Sequence, residues 1–290
     1  MTTVYLNGQF MPASEAKISP MDRGFLFGDG IYEVIPSYHG RFVGFKPHIA
    51  RMQDGLSQLS IDPALHLADW QSICQRLLSD NRNTNGDNQA VYIQVSRGTD
   101  SKRNHAFPAN IKATVFAYAF PIAPEPIADK SKATTFNVVT GQDLRWQRCH
   151  IKSTSLLGNV LHYQQGYASG AQEILLFDKD ANLTEGAAVN VFVIKNGVIA
   201  TPPLTNKLLP GITRLLLLDI LRKHSSITVE ERDISEQEVF AADEIWLTSS
   251  SKEIAPVLKV NEHTVGNGEV GDVWLAAQKL FSQHKYDELV

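Results

Sequence analysis

The feature that most limits how this chain can fold is a proline-rich segment near its middle. Three prolines fall within six residues in the stretch Pro121-Ile122-Ala123-Pro124-Glu125-Pro126. Proline lacks a backbone N–H and fixes its own φ angle, so this segment favours an extended connector over a helix or a central strand. At 290 residues the chain is also longer than one core usually accommodates. The sequence therefore predicts a small N-terminal α/β domain over residues 1–120, a linker over 121–131 and a larger C-terminal domain over 132–290.

The composition is that of an ordinary globular protein, with 43% hydrophobic and 20% charged residues. The formal net charge of −4 gives no basic surface for nucleic acid. No apolar run approaches the roughly 20 residues that span a bilayer, so we expect no membrane partner. The first residues lack the charged and apolar regions of a signal peptide. Only Cys74 and Cys149 are present, without metal-ligand spacing, so we expect a cytoplasmic protein with neither a disulfide framework nor a metal site.

Hydrophobic periodicity predicts a mixture of helices and strands in both halves of the chain. Asn7-Gly8 is the expected turn of a short N-terminal hairpin. The predicted helices span residues 47–60, 67–81, 156–169, 212–224 and 270–284. The predicted strands span residues 31–38, 89–97, 111–120, 134–139, 172–177, 189–194 and 244–248. Alternation along the first of these strands would send Tyr32 to one face and both Ile31 and Glu33 to the other.

Three charged residues allow two interpretations each. Lys152 precedes Ser153-Thr154-Ser155, and a lysine there is most simply a solvated cation beside a helix cap. The alternative is a lysine in a partly dry cleft, where an amine loses its charge easily and can form a Schiff base. Arg51 lies off an apolar helix stripe and Glu185 lies in a turn, so each can meet solvent or belong to a site. Spacing alone does not decide between these interpretations.

Three further segments give weak indications of anion binding. Gly211 precedes a helix, whose first N–H groups and dipole favour an anion. The turn Ser249-Ser250-Ser251-Lys252-Glu253 is rich in hydroxyl groups that could bind a phosphate, but neither segment is a Walker-type loop. In the long polar loop 98–108, Arg103 and His105 could present two donors to a carboxylate or could lie exposed in solvent.

Taken together, five motifs follow one another in a recognisable order. They are Asp22-Arg23-Gly24 with Phe27-Gly28-Asp29-Gly30-Ile31-Tyr32-Glu33, then His48-Ile49-Ala50-Arg51, the Lys152 stretch, Thr184-Glu185-Gly186 with Asn190-Val191-Phe192, and Gly211-Ile212-Thr213-Arg214. On these motifs the chain resembles the fold-type IV pyridoxal-phosphate enzymes over nearly its whole length. That family includes branched-chain aminotransferases, D-amino-acid aminotransferases and aminodeoxychorismate lyases. The resemblance implies a two-domain α+β fold with a β-barrel-like C-terminal domain carrying helices, and pyridoxal 5′-phosphate as cofactor.

The resemblance also implies a role for individual residues. Lys152 would form the internal aldimine with the cofactor and then move a proton between the substrate Cα and the cofactor. Glu185 would sit against the pyridine nitrogen and keep it protonated. The cofactor phosphate would be held by Arg51, the backbone N–H groups of Ile212 and Thr213, and the Ser250 hydroxyl. The chain has Ala187-Ala188-Val189 where some relatives have a run of serines, so the resemblance does not extend to hydroxyl contacts from that turn.

Within the family, the closest resemblance is to D-amino-acid aminotransferases, through Ile93-Gln94-Val95-Ser96-Arg97-Gly98-Thr99 and the pair Arg103 and His105. In those enzymes the arginine and histidine come from the neighbouring subunit and help to bind the substrate α-carboxylate. Here they would form a carboxylate trap together with Tyr32, which implies a homodimer with shared active sites. The expected reaction is ping-pong transamination between a D-amino acid, D-alanine foremost, and a 2-oxo acid such as 2-oxoglutarate.

Other functions remain open at this point. A branched-chain L-amino-acid aminotransferase, an R-selective amine transaminase and aminodeoxychorismate lyase would use the same fold and cofactor. A non-catalytic dimeric binding protein that keeps the fold is the alternative from a different functional class. Retention of Lys152, Glu185 and Arg51 together argues against that last alternative.

Overall fold

The computed structural model describes residues 2–287, which contain both helices and strands, as the periodicity predicts. The helices are α1 Arg23–Phe27, α2 Phe45–Gln58, α3 Leu67–Asn85, α4 Leu157–Ala168, α5 Ile212–His224, α6 Glu236–Phe240 and α7 Asp272–His284. The first strands are β1 Thr3–Leu6, β2 Gln9–Pro12, β3 Gly30–Tyr38, β4 Arg41–Phe42, β5 Asn88–Ser96, β6 Thr114–Pro121, β7 Phe136–Gln142 and β8 Glu173–Phe177. The remaining strands are β9 Leu183–Gly186, β10 Asn190–Lys195, β11 Val198–Thr201, β12 Val229–Glu231, β13 Glu244–Ser249, β14 Glu253–Val260 and β15 His263–Thr264.

The chain divides into two compact units. Unit 1 contains the residues up to Glu125 together with the segment Ile151–Leu156, and unit 2 contains Pro126–His150 and the chain from Leu157 onward. The predicted domain bounds of 1–120 and 132–290 stay a prediction. Across residues 2–287, each helix is too short or too polar to cross a bilayer.

Unit 1 is built on a six-stranded antiparallel sheet in the order β2-β1-β6-β5-β3-β4. The predicted hairpin is confirmed, because Asn7 and Gly8 both have positive φ angles between β1 and β2. Strand β6 begins at Thr114, three residues later than predicted. The reason lies in its partner: β5 ends at Ser96, which pairs with Thr114, so residues 111–113 have no strand to pair with on that side.

The two faces of this sheet differ in chemistry. Helices α2 and α3 cover one face, where Ile31, Ile93 and their neighbours form the core of the unit. The other face carries a row of aromatic rings, in which Tyr92 lies between Tyr32 and Tyr118 at centroid distances of 5.8 and 5.3 Å. Tyr32 is therefore on the face opposite to Ile31, as the alternation predicts.

Helix α2 begins at Phe45, two residues earlier than predicted. Gly44 is the N-cap residue, in the left-handed region at φ 64°. Pro47 then falls in the first turn of the helix, where its missing N–H has no intrahelical acceptor to lose. The sequence prediction placed the start of the helix at Pro47, whereas the helix begins directly after Gly44.

Unit 2 contains a nine-stranded mixed sheet in the order β12-β11-β10-β13-β14-β7-β8-β9, with β15 added beside β14. Strand β7 runs parallel to both β8 and β14, whereas β13 is antiparallel to β10 and β14. The apolar face of the sheet forms a core from strands β7–β10, β13 and β14. Helix α5 packs beside α7, and α4 packs against β7 and β8.

Candidate active site

Lys152 lies in the segment Ile151–Leu156, which runs beside the start of β3 in unit 1. Its carbonyl oxygen accepts a hydrogen bond from the Tyr32 N–H at 3.0 Å. The side chain is half-buried, and Nζ lies 4.1 Å from the centroid of the Tyr32 ring. Contact of an ammonium group with the face of an aromatic ring is attractive and holds the amine in place. The interpretation of Lys152 as a freely solvated cation is therefore wrong.

The backbone around Lys152 is held by the turn that precedes β3. Thr154 Oγ1 donates to the Gly28 carbonyl oxygen at 2.9 Å, and the Thr154 N–H donates to the Gly30 carbonyl at 2.9 Å. Gly28 has a φ of 65°, and a Cβ there would lie 2.6 Å from Ser155 Oγ. Glycine at position 28 therefore allows both the left-handed turn and the close approach of the lysine segment.

Arg51 forms a buried ion pair with Glu33 on β3. Arg51 Nε and Nη2 each lie 2.8 Å from a different carboxylate oxygen of Glu33, which is the bidentate geometry of strong guanidinium pairs. His48, one turn earlier on α2, places Nδ1 2.7 Å from Glu33 Oε2. The Glu33 side chain is fully buried and that of Arg51 is 9% exposed, so the solvated interpretation of Arg51 is wrong as well.

The charges in this cluster follow from its partners. Burial alone would raise the pKa of the Glu33 carboxyl, but Arg51 and His48 hold it far below its usual range. Burial lowers the pKa of His48 even though Glu33 opposes that shift. An ionised carboxylate only accepts hydrogen bonds, so a neutral His48 must donate its Nδ1–H to Glu33.

Arg103 and His105 lie together on one aromatic ring of unit 1. The Arg103 guanidinium carbon is 4.9 Å from the Phe27 ring centroid, and the His105 ring is 5.3 Å from it. Both residues are exposed, and Arg23 fixes the loop by donating to the His105 carbonyl oxygen at 3.2 Å. Within residues 2–287 no hydrogen bond or ring contact joins either residue to Tyr32. The structure brings Arg103 and His105 together, and separately it brings Tyr32 and Lys152 together.

Glu185 is the central acceptor of unit 2. It lies at 5% exposure in β9 and accepts hydrogen bonds from Arg145 Nη1, Asn190 Nδ2 and the Leu209 N–H, the last two at 3.1 Å. The interpretation of Glu185 as a turn carboxylate in water is therefore wrong. Its carboxylate is buried and held at both oxygens.

Arg145 divides its charge between two carboxylates. Its Nε and Nη2 bind Asp143 at 3.0 and 2.7 Å, so only Nη1 reaches Glu185. Burial raises the pKa of the Glu185 carboxyl to about 7, although Arg145 and the Leu209 N–H both oppose that shift. The pKa of Asp143 goes the other way, because hydrogen bonds from Arg145 outweigh the effect of burial. Glu185 thus has an unusually high proton affinity for an acid beside an arginine.

Ile212 and Thr213 are the first two residues of α5 and are both buried. No side chain caps this helix, and its N-cap is Gly211. A Cβ at Gly211 would lie 2.0 Å from Asn190 Oδ1, so a larger residue would not fit against the strand that carries Asn190. The first N–H groups of a helix have no intrahelical acceptor, so this end is suited to an anion.

Ser250 is half-buried in the turn between β13 and β14. Two hydroxyl groups just before it, Thr248 Oγ1 and Ser249 Oγ, are buried without a hydrogen-bond partner among residues 2–287. Buried hydroxyl groups are nearly always bonded, so these two indicate an acceptor or donor from outside the chain. The sequence pointed to Ser250 and to the hydroxyl-rich turn that contains Ser249, and it missed Thr248.

Sequence reasoning also passed over Glu33 and His48 as individual site residues. A signal for Glu33 was present, because alternation places it on the same buried face as Ile31, where a carboxylate needs a charged partner. His48 and Arg51 are three apart on one helix and can reach the same group. No local signal existed for Arg145, which is forty residues from Glu185.

One group of side chains in the described part of the chain has suitable spacing for a metal ion. It consists of His224, His284 and Asp287, near the ends of α5 and α7. His284 Nδ1 lies 2.7 Å from an Asp287 carboxylate oxygen, and the two histidine rings stack. None of the three belongs to the predicted site, and the expected lack of a metal stays a prediction.

Comparisons with known proteins identify the family of the chain. A model of the family described as amino-transferase class IV matches residues 30–260. D-alanine aminotransferase of Staphylococcus haemolyticus is 36% identical over 285 residues, which cover 98% of each chain. The protein of the same name from Bacillus licheniformis is 36% identical over 268 residues, covering 92% of each chain.

Solved structures give the same fold. The branched-chain amino acid aminotransferase of Escherichia coli superposes with a TM-score of 0.88 at 23% identity, covering 97% of this chain and 94% of that one. The branched-chain enzyme of Thermobaculum terrenum, solved in its PLP-form, gives 0.84 at 18% identity, covering 98% of this chain and 94% of that one. At such identities these structures speak for the fold alone, and the expected mixed fold is confirmed. The chain therefore belongs to the class IV aminotransferase family.

Proposed function

We propose that this protein is a pyridoxal-phosphate-dependent aminotransferase that acts on D-amino acids, D-alanine foremost, with a 2-oxo acid such as 2-oxoglutarate as acceptor. The observation that carries the proposal is the 36% identity to proteins named D-alanine aminotransferase over nearly the whole chain. The two branched-chain aminotransferases of similar structure are only 23% and 18% identical and argue only for the fold.

The phosphate would be bound by Arg51, Ile212, Thr213 and Ser250, as the sequence predicts. The uncapped start of α5 at Ile212 and Thr213 supports this role, and so do the Thr248 and Ser249 hydroxyl groups, which have no hydrogen-bond partner among residues 2–287. Arg51 would supply the positive charge. Its ion pair with Glu33 fixes the guanidinium on β3, so the charge is positioned before any anion arrives.

Pyridoxal phosphate would supply an aldehyde for attachment of the amino group and a ring that accepts electrons from Cα. Glu185 would bind the ring nitrogen and share a proton with it. The raised pKa of Glu185, caused by burial, suits this task because an acid and base exchange a proton most readily when their proton affinities are similar.

Lys152 would attach the cofactor and then move the proton at the substrate Cα. Nζ lies on the Tyr32 ring. With the substrate carboxylate held at a fixed position as well, only one enantiomer would present its Cα–H to Nζ. Tyr32, with Arg103 and His105, would bind the α-carboxylate. Because Arg103 and His105 pack on Phe27 without contacting Tyr32 in the described chain, we propose that they act in the active site of a second subunit.

A homodimer is part of this proposal. Helix α4 exposes Leu157, Leu161 and Tyr167 at 71, 62 and 68%, which is unusual for large apolar side chains and typical of a surface that another protein covers. Size-exclusion chromatography with light scattering should give about twice the 32.1 kDa chain mass. Cys74 and Cys149 are both free thiols, which fits the reducing cytoplasm that we propose as the compartment.

The proposed reaction is tested by comparing D-alanine and L-leucine as amino donors with 2-oxoglutarate as acceptor. We expect D-alanine to be the far better donor, with no turnover unless an acceptor is present. Faster turnover of L-leucine would identify a branched-chain enzyme instead. Release of pyruvate from aminodeoxychorismate without an acceptor would identify a lyase.

Two variants test the assigned residues. Lys152→Ala should lower activity by roughly 10⁴-fold, the upper range for removal of a proton-transfer group, while the dimer stays folded. Arg103→Ala should raise the KM for D-alanine strongly and leave the bound cofactor in place. An Arg103→Ala variant with wild-type kinetics would remove Arg103 from the carboxylate trap.

A further inference from the structure

Unit 2 contains a fully buried ion pair that the proposed chemistry does not use. Lys285, just beyond α7, is 1% exposed, and its Nζ lies 2.5 Å from Glu253 Oε1. Gln278 Nε2 donates to the other carboxylate oxygen at 3.0 Å. Burying two charges is unfavourable unless their geometry is good, so a pair of this kind calls for a reason to be kept.

The reason lies in the position of this ion pair beside the turn of the β13–β14 hairpin. Glu253 pairs with Ser249 across the β13–β14 hairpin, and Ser250, Ser251 and Lys252 form the turn between them. Glu253 has a φ of +52°, in the left-handed region that side chains other than glycine and asparagine rarely adopt. Three-residue hairpin loops often require that conformation at one position, where glycine usually meets it. Here Glu253 adopts it, and Lys285 and Gln278 anchor its carboxylate.

The other end of α7 is tied to the same hairpin at a different place. Glu244, the first residue of β13, accepts hydrogen bonds from the N–H groups of Val273 and Trp274 at 3.0 and 2.9 Å. Glu244 is five residues before Ser249, at the opposite end of its strand. Trp274 Nε1 also donates to the Ile254 carbonyl oxygen on β14 at 2.9 Å. Helix α7 is therefore tied to the hairpin at Glu244, Ile254 and Glu253, and of these three residues Glu253 is the one that adjoins the turn.

We propose that Glu253 and Lys285 are positioning residues that hold the turn Ser249–Lys252 in the conformation that binds the cofactor phosphate. The inference rests on the proposed function, in which this turn binds the phosphate. The pair is neutral as a whole, because Lys285 cancels the charge of Glu253. An anion that binds at the turn is therefore not repelled by an unbalanced carboxylate. The fixed hairpin also holds the buried Thr248 and Ser249 hydroxyl groups in one orientation.

The test compares two ligands that differ only in the phosphate. Pyridoxal phosphate and pyridoxal are titrated into cofactor-free wild type, Lys285→Met and the control Glu244→Gln. Lys285→Met should bind pyridoxal phosphate about 10–100-fold more weakly, the factor for one or two hydrogen bonds to a charged group, and bind pyridoxal as the wild type does. At saturating pyridoxal phosphate its kcat should stay within about threefold of wild type.

The control separates positioning from general stability. Glu244→Gln also weakens an anchor of α7, so it should lower the Tm but leave the preference for pyridoxal phosphate over pyridoxal unchanged. If Lys285→Met does not fold, Gln278→Ala removes one hydrogen bond to Glu253 and should weaken pyridoxal phosphate binding about threefold to tenfold without affecting pyridoxal.

Two outcomes would overturn this inference and leave the proposed function standing. One is an equal loss of affinity for pyridoxal phosphate and pyridoxal in Lys285→Met. The other is wild-type affinity for pyridoxal phosphate in both Lys285→Met and Gln278→Ala. A wild-type protein that does not prefer pyridoxal phosphate to pyridoxal would overturn the proposed function together with it.

Discussion

The two units each contain a buried glutamate paired with an arginine, and the two pairs differ in charge balance. In unit 1, Glu33 takes two guanidinium contacts from Arg51 and a third hydrogen bond from His48. In unit 2, the Arg145 side chain gives two contacts to Asp143, one to the Lys207 carbonyl oxygen and only one to Glu185. Glu33 thus takes two guanidinium contacts, whereas Glu185 takes one from an arginine that also binds Asp143.

The division of one guanidinium explains why the two pKa values move apart. Burial raises the pKa of a carboxyl group, and a nearby cation lowers it. For Glu33 the cation outweighs burial, and its pKa falls far below the usual range. For Glu185 burial outweighs the single contact from Arg145, and the pKa rises to about 7. Glu33 is suited to a constant charge, and Glu185 to exchanging a proton.

The largest expected effect is on stability, from Glu33→Gln. The change removes the carboxylate that Arg51 and His48 both contact, which should lower the free energy of unfolding by about 3–5 kcal/mol. Glu185→Gln should cost only about 1–2 kcal/mol, because Asp143 still neutralises Arg145. Urea denaturation of the cofactor-free proteins measures both. Equal losses would mean that Asp143 does not compensate in the way the geometry indicates.

The next largest effect is on kcat, and it should come from substitution of Glu185. Glu185→Gln removes the acid that would share a proton with the cofactor ring, so kcat at saturating cofactor should fall by roughly 10²–10³-fold. Glu33→Gln serves as the matched control and should keep kcat within about tenfold, since its carboxylate only positions Arg51. Steady-state kinetics with D-alanine and 2-oxoglutarate give both values. A similar loss of kcat in the two variants would make Glu33 catalytic as well.

A third prediction concerns opposite pH dependences. The lowered pKa of Glu33 means that its ionised form stabilises the fold above about pH 4.5, and that this contribution is lost as the pH falls further. The raised pKa of Glu185 means that the fold gains from its protonated form, and that this contribution is lost as the pH rises through about 7.

Unfolding of the cofactor-free variants at several pH values checks these signs. The stability deficit of Glu33→Gln should shrink between about pH 6 and pH 3. Between about pH 5 and pH 8, the free energy of unfolding of Glu185→Gln should rise relative to that of the wild type by up to about 3 kcal/mol. If the free energy of unfolding changed with pH in the same direction for both variants relative to the wild type, the pKa shifts assigned to Glu33 and Glu185 would be contradicted.

The smallest expected effect comes from His48→Gln. Arg51 still neutralises Glu33 in this variant, so only one buried hydrogen bond is weakened, at a cost of about 1 kcal/mol. Thermal unfolding of His48→Gln and of Glu33→Gln under the same conditions gives the comparison. A loss as large as that of Glu33→Gln would show that the histidine, and not the arginine, balances the buried charge.

Much of the local structure could be predicted, and the errors have local causes. Alternation correctly separated Tyr32 from Ile31, and the Asn7-Gly8 turn and the bounds of α5 agree with the sequence patterns. The start of α2 was misplaced because a proline was taken as the boundary where a glycine provides it. The family also followed from motif order, which the match over residues 30–260 confirms.

The interpretation of isolated charged residues from exposure habits failed at Arg51 and Glu185. Both are polar in sequence and buried in the structure, because each meets an opposite charge contributed by another element. The motif order still named both as site residues, but it did not name Glu33, Arg145 or Asn190 as their partners. A pairing of residues forty positions apart leaves no periodic trace in either segment.

The sequence by itself determined most of the longer helices and strands, the Asn7-Gly8 turn and the family, because periodicity, glycine positions and motif order are properties of neighbouring residues. Only the tertiary structure decided which carboxylate takes two guanidinium contacts and which takes one. That difference depends on how β3 meets α2 in one unit, and on how β9 meets the segment around Arg145 in the other. Burial and charge act through space, so the proton affinity of Glu185 follows from the fold and not from its place in the chain.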